Sequence, residues 1–372
     1  MLLGAICAFV LLGILVAGLW PFHAPRNEVS WLSQGNGLLF GKHGSIVSAS
    51  AFEDIRPQAD SSCSLEIWVE PSRVKSSGTI LGFYWPTSRL VLFALRQSLG
   101  DLKLERRSYD QSAKKARLYV GDVFSRLKPV FFTISAGETG TAIYVDGILA
   151  KKSANFRFSS QDLTGQLVIG NAPATTDSWS GQVKGLALYD RELPAVEVLQ
   201  HFADWTGGSA TSKQPDLVRS ERVVASYLFN EGKANVVHNQ VESGTKLLIP
   251  ERFFVLRKQF LERPWDEFRS DWSYWKDVGI NIAGFVPLGF FFSAYFSAIG
   301  KIKRATWLTI ALGFAVSLTI EVLQAFLPSR DSGLTDLITN TFGTALGAIL
   351  CAWSVKHNWF ARAGISICYQ RL

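Results

Sequence analysis

The chain has 372 residues, 48% of them hydrophobic, and a formal charge of +7, which is enough for two structural units of different kind. Its basic residues form no sustained run and no recognition motif, which excludes nucleic-acid binding. Of the four cysteines, Cys7 and Cys351 lie in apolar segments and Cys368 in the tail, so Cys63 alone falls in the polar part; an intramolecular disulfide there and a zinc site of paired cysteines are excluded.

Residues 2–20 (LLGAICAFVLLGILVAGLW) carry no charge and can cross a hydrocarbon layer of about 30 Å as a helix. A cleaved signal peptide is the competing reading. The absence of Lys or Arg before the run and of an A-x-A-like site after it favours a retained anchor.

From Ser64 the pattern alternates. Leu65, Ile67 and Val69 face one way and Glu66, Trp68 and Glu70 the other, the period of a half-buried strand. Similar runs recur in TILGFYW, RLVLFAL, DLKLERR, VFFTISA, TAIYVDG, GQLVIGN and QVKGLALYD, separated by turns such as Asp146-Gly147 and Ser180-Gly181. Short strands at this spacing predict an antiparallel two-sheet sandwich over 27–206. The glycines of GNGLLFG have the wrong spacing for a nucleotide loop and are read as turns.

The order SLEIWVEPS, IYVDGILA, LVIGNA, SWSGQVKGLALYDREL and AVEVLQHFADW resembles a concanavalin A-like or laminin G-like domain over about 45–206. Trp179, Gly181, Gly185, Tyr189 and Asp190 match that family's Trp-x-Gly strand and build the fold. The resemblance implies a glycan or protein ligand at a rim or concave face, and in some members calcium; no compact acidic cluster allows a calcium site to be assigned, so no cofactor is expected. Tyr84, Trp85 and Trp179 could stack on sugars, but such rings are more often core. Residues 207–250 read as a polar linker followed by an additional β segment, ASYLFNEGKANVVHNQVESGTKLLIPERF, whose strand partners stay open.

Between residues 251 and 276 aromatic and basic side chains alternate, which predicts an amphipathic ledge at the membrane surface, broken near Pro264; an ordinary packed connector is the other reading. Three apolar runs follow, Val278–Gly300, Ala305–Leu327 and Leu334–Val355, within a membrane part spanning 277–355. The fold expected is therefore a multidomain membrane protein: an all-β sandwich plus one N-terminal and three C-terminal transmembrane helices. Lys301, Lys303 and Arg304 in one loop and Lys356, Arg362 and Arg371 in the tail (356–372) place those ends in the cytoplasm. Both termini are then inside, and the sandwich is outside.

The apolar runs contain ionic side chains, each costing at least about 2.5 kcal/mol at the bilayer centre without a partner. Gly313, Ser317, Glu321 and Gln324 share one helical stripe; Asp336, Asn340, Gly343 and Gly347 share another; Asp277 and Asn281 mark a third. Gly343 and Gly347 form a small-xxx-small pattern that lets a helix approach. Glu321 is expected roughly 9 Å below the outer surface, with Arg330 and Asp331 in the external turn. Glu321 and Asp336 are the candidate acid and base; Arg330, Asn281, Gln324, Asn340, Asp331 and Asp277 are candidate substrate ligands. Asn340 and Gln324 are the members best suited to a purely packing role.

The stretch NIAGFVPLGFFF followed by EVLQAFLPSRDSGLTDLITNTFGTALGAIL is very similar to the VanZ-like membrane family over about 275–355. Asn281, Phe285, Pro287 and Gly289 match its first motif, Glu321 and Gln324 its helix end, Arg330 its turn, and Asp336, Asn340 and Gly343 its last helix. The resemblance implies a bacterial envelope protein in the cytoplasmic membrane, of a family named after a protein associated with low-level teicoplanin resistance, and does not itself yield a reaction. The expected partner is a membrane lipid or lipid-linked envelope precursor. The alternative is a recognition module for which the helices are only an anchor. No histidine belongs to a standard catalytic motif.

Overall fold

The computed structural model describes residues 2–53, 62–85, 90–107, 116–207, 222–242, 244–256, 260–268, 272–300 and 302–357. They divide into two compact units, Pro25–Arg257 and Met1–Ala24 with Lys258–Leu372.

The first unit is a pair of antiparallel sheets. The strands are β1 (Val29–Trp31), β2 (Leu38–Phe40), β3 (Ile46–Ser48), β4 (Cys63–Pro71), β5 (Ser76–Trp85), β6 (Leu90–Leu99), β7 (Asp101–Arg106), β8 (Ala116–Val120), β9 (Val130–Gly137), β10 (Gly140–Val145), β11 (Ile148–Ser153), β12 (Gln166–Ile169), β13 (Gly181–Tyr189), β14 (Val223–Tyr227), β15 (Val236–Val237) and β16 (Leu247–Leu248). One sheet runs β1-β2-β13-β4-β9-β10-β11 with β14 also on β13, and the other β15-β16-β3-β12-β5-β6-β7-β8. The alternation in β4 has its cause here: Leu65, Ile67 and Val69 join Phe40, Phe83 and Phe132 in the fully buried core between the sheets. The pairing left open for residues 225–253 is resolved. Leu186–Tyr189 of β13 pairs with β14, and β3 takes β16 on the side away from β12.

Trp179 and Tyr84 are core residues. The Trp179 indole donates to Gln97 Oε1 at 2.8 Å, and Gln97 Nε2 in turn donates to the carbonyls of Arg73 and Leu99. A Cβ at Gly181 would run into the Trp179 ring and the Glu70 carbonyl. Replacing Trp179 by phenylalanine should cost about 1–3 kcal/mol by orphaning the glutamine acceptor, and replacing it by alanine about 3–5 kcal/mol through the cavity. Hydrogen exchange of the core strands should show that order.

One element is not part of the strand pattern read from the sequence of this half. Ala195–Thr206 forms a helix, α2, whose Val198, His201 and Trp205 are buried, a one-sided stripe. It covers the outer face of the first sheet, so Glu66, expected on an open face, has no exposed surface. Its carboxylate accepts from Thr133 Oγ1 (3.2 Å) and Tyr189 Oη (2.8 Å) and meets His201 Nδ1 at 3.1 Å. Burial works to lower the His201 pKa, but the hydrogen bond and charge of Glu66 outweigh it and hold the pKa above its ordinary value. Asp162 is also buried; desolvation pushes it up to about 6 although Arg106 Nε lies at 2.6 Å.

The second unit contains α1 (Leu2–Leu19), the short α3 (Pro264–Glu267), α4 (Trp272–Ile299), α5 (Ile302–Gln324) and α6 (Leu334–Lys356). Four of these are long and apolar enough to cross a membrane. Within residues 251–276, α3 holds only four residues and the first turn of α4 takes the C-terminal end. The α4–α6 contact is close because of its glycines. A Cβ at Gly343 would meet the backbone of Ile282, one at Gly347 the Val286 carbonyl, and one at Gly289 the Thr344 carbonyl. Phe285, Leu288, Val316 and Ile320 form a small core against which α1 packs Val10, Leu11, Ile14, Leu15 and Leu19. Pro287 sits inside α4 on an exposed face, where it removes the helical donor for the Ala283 carbonyl.

Candidate functional site at one end of the membrane helices

An α-helix begins with backbone N–H groups that lack internal acceptors and favour negative charge. At α6 side chains from distant parts of the chain meet them. Gly333, the N-cap, donates its N–H to Glu321 Oε2 at 2.8 Å, and the Ser332 hydroxyl bonds the same carboxylate. Leu334 N–H donates to the Glu262 carbonyl at 2.9 Å, while Glu262 N–H donates to the Ser332 carbonyl at 2.9 Å. Thr335 gives both its N–H (3.2 Å) and its hydroxyl to Glu267 Oε2. Residues 260–267 therefore lie as a strap over the start of α6.

Asp336 occupies the first turn of α6 and accepts from Asn281 Nδ2 of α4 at 2.7 Å. Glu267, Asp277 and Arg330 all lie within electrostatic reach of it. One turn deeper, Asn340 Nδ2 donates to Ser317 Oγ at 3.0 Å, and the buried Asn340 Oδ1 has no hydrogen-bond partner among the described residues. Gln324 Nε2 donates to the Gly18 carbonyl (2.8 Å), and Arg330 donates through Nε (2.9 Å) and Nη2 (2.5 Å) to the Trp20 carbonyl. These two residues satisfy carbonyls that the C-terminus of α1 leaves without helical donors. Asp277 and Asp331 are exposed.

Of the residues singled out in the sequence, Glu321, Asp336, Asn281 and Arg330 thus come together at one end of the bundle. Asn340 lies below them and Gln324 beside α1. Asp277 lies near the start of α4, and Asp331 in the turn between α5 and α6. Glu267 was missed: it lies in a segment read as interfacial, and a carboxylate meeting a threonine 68 positions away leaves no local signal. Among the described residues no group of three or more His, Cys, Asp or Glu side chains could hold a metal ion. Chemically the cluster offers carboxylates able to carry protons, amide groups, and an arginine that keeps donors to spare at the outer edge.

Fold and site together define a membrane protein with a β-sandwich and a polar cluster among its helices. The model of the VanZ/LLP1 family matches residues 223–355, and that of the concanavalin A-like lectin/glucanases superfamily matches residues 43–199. The chain joins a VanZ-like C-terminal part to a concanavalin A-like domain. Protein VanZ of Enterococcus faecium is 32% identical over 77 residues, a match that takes 21% of this chain and spans 45% of the relative's length. Among solved structures, the receptor binding domain of botulinum neurotoxin D aligns with 47% of this chain and 45% of its own at 14% identity and TM-score 0.37. A heptameric SAP-like pentraxin from Limulus polyphemus aligns with 62% of this chain and 95% of its own at 12% identity and TM-score 0.35.

Proposed function

We propose that the VanZ-like part binds, or acts on, an anionic lipid-linked envelope molecule at the outer-leaflet end of α4, α5 and α6, and that the sandwich, on the same outer side, holds a glycan or protein ligand. Lys and Arg in the short loops support this orientation, with both termini in the cytoplasm and this end of the helices outside. The reading is carried by the meeting of Glu321, Asp336 and Glu267 with Asn281 at the head of α6. Arg330 engages the anionic group of the substrate at the rim, and Glu321 or Asp336 handles a proton. The substrate comes sideways from the lipid.

The second reading, in which the helices are a packed anchor, has its own support: Glu321, Glu267, Gln324 and Arg330 each already hydrogen-bond backbone groups. Glutamine keeps a carbonyl acceptor and cannot carry a proton, so it separates the two. Under the first reading Glu321→Gln should weaken the glycopeptide-susceptibility or lipid phenotype of an expressing strain at least about ten-fold, since acid–base catalysis contributes about a hundred-fold or more, while the protein stays monodisperse in detergent. Full complementation by Glu321→Gln removes the acid–base role.

A further inference from the structure

The buried face of α5 carries a line of small and polar residues. Glu321, Ser317, Gly313 and Thr309 recur at every fourth position and all are buried, so they lie one above another along the helix. α6 meets this line with Asp336, Asn340 and Thr344. Asn340 Nδ2 reaches Ser317 Oγ at 3.0 Å, and a Cβ at Gly313 would run into the Thr344 hydroxyl. Numbers fall on α5 as they rise on α6, so the two helices are antiparallel. The same register carried one turn toward the head of α6 sets Glu321 opposite Asp336, and the two carboxylates lie within electrostatic reach of each other.

One atom of this line lacks a partner. Asn340 keeps only 5% of its surface exposed, yet its Oδ1 accepts no hydrogen bond among the described residues, a state that protein interiors seldom tolerate. The donors around it are spent elsewhere: the Thr344 hydroxyl on the Asn340 carbonyl (3.0 Å), the Gly333 N–H on Glu321 (2.8 Å) and the Asn281 amide on Asp336 (2.7 Å). Turning the Asn340 amide over would pair its oxygen with the Ser317 hydroxyl and strand its nitrogen instead. In either orientation one group of the amide wants a partner. The Ser317 hydroxyl, which accepts from Asn340, keeps its own hydrogen to give.

Helical side chains lean toward the N-terminus of their own helix. On α6 this carries Asn340 toward the head of the helix, and on α5, which runs the other way, it carries Glu321 toward Ser317. An amide oxygen, a carboxylate and a hydroxyl hydrogen therefore converge on one gap. Two acceptors and a donor are the complement of a water molecule, which can donate to Asn340 and Glu321 and accept from Ser317, about the number of bonds an interior water makes. The gap does not suit a metal ion, because among the described residues no three carboxylate, histidine or cysteine side chains converge there. A substrate group would have to pass Glu321, which is itself buried.

We propose that one ordered water occupies this gap, and that Asn340 and Ser317 are positioning residues that hold the Glu321 carboxylate through it. The Gly333 N–H fixes the carboxylate from the head of α6 and the water fixes it from the bundle interior. The positioning role rests on the acid–base reading of Glu321, whereas the water site rests on the packing of α5 against α6 alone.

The test is a crystal structure of the full-length chain grown in a lipid mesophase, joined to infrared spectra of the chain in nanodiscs. The wild type should show a water within hydrogen-bond distance of Asn340 Oδ1, Ser317 Oγ and the Glu321 carboxylate. Asn340→Leu and, separately, Ser317→Ala should each remove it. The Glu321 band, isolated as the difference between wild type and Glu321→Gln, should shift in both variants toward that of a less hydrogen-bonded group, and stay in place in Gly279→Ala, whose added Cβ meets nothing. Ser317→Ala deletes a single oxygen and carries the test if Asn340→Leu does not fold. In the expressing strain both variants should weaken the phenotype several-fold, less than Glu321→Gln, because the carboxylate remains. Full complementation by Glu321→Gln with the water in place overturns the positioning role and upholds the water site. A wild-type gap without water, or an Asn340 Oδ1 bonded to a protein group, overturns the site, as does a Glu321 band unmoved in both variants.

Discussion

Substituting Gly347 with valine should take the membrane unit apart. A Cβ at this position would meet the Val286 carbonyl and the Phe290 nitrogen, and both are helix backbone, which cannot rotate away as a side chain can. The two helices would have to separate, and the cost is about 3 kcal/mol or more, the upper range for overpacking. Even alanine should weaken the contact. Two glycines of the same bundle supply the control, since at Gly279 and Gly284 an added Cβ meets nothing within 4 Å. Alanine there should be neutral, or stabilising by up to about 1 kcal/mol through helix propensity. Thermal challenge in detergent followed by size-exclusion chromatography should rank the variants in that order; equal behaviour of Gly347→Val and Gly279→Ala would show that the α4–α6 crossing does not hold the unit together.

His201→Ala is the second substitution with a large expected effect. It leaves the Glu66 carboxylate without its cationic neighbour in a fully buried position. Breaking such a pair from one side costs about 3–5 kcal/mol. The same pair sets a pH dependence. The folded-state pKa of His201 lies above its ordinary value, so its contribution is fully present below about pH 6.5, the unfolded value, and is lost as pH rises through the folded one. Asp162, pushed up to about 6, acts with the same sign at lower pH. The folded protein holds that proton more tightly than the unfolded chain, so stability falls as pH rises from about 4 to 6. The sandwich should therefore be more stable at pH 6 than at pH 9, and more stable still toward pH 4 as far as these two groups decide. Hydrogen exchange of β4 and β13 across this range measures it. His201→Ala should flatten the slope above pH 6.5 and Asp162→Asn the slope below pH 6; a slope unchanged in both variants would assign the pH dependence to other groups.

The legible part of this chain was the part written in short periods. Alternation in Ser64–Glu70 showed which face of β4 is core, and the stepped polar residues of α5 and α6 showed that their charges share faces. What escaped depends on partners far away in the chain. Glu66 alternates correctly with Leu65 and Ile67, yet no local pattern says that a helix beginning at Ala195 will cover it. Arg330 reads as a substrate ligand in a turn, whereas its guanidinium is bonded to a carbonyl 310 positions away, at the end of a helix whose own sequence is apolar throughout. Glu267 escaped for the same reason. The additional β segment could be recognised as strand-like but not paired, because β15 and β16 have two residues each and too few side chains to specify a register.

The placement of β14 and β16 has a consequence for biogenesis. The strands that close the free side of Leu186–Tyr189 and of β3 are encoded between Val223 and Leu248, immediately upstream of the last three helices and inside the stretch that matches the VanZ/LLP1 model. A ribosome must therefore translate nearly two thirds of the message before either sheet can complete its hydrogen bonding, so a nascent chain stalled after α2 carries two unpaired strand flanks.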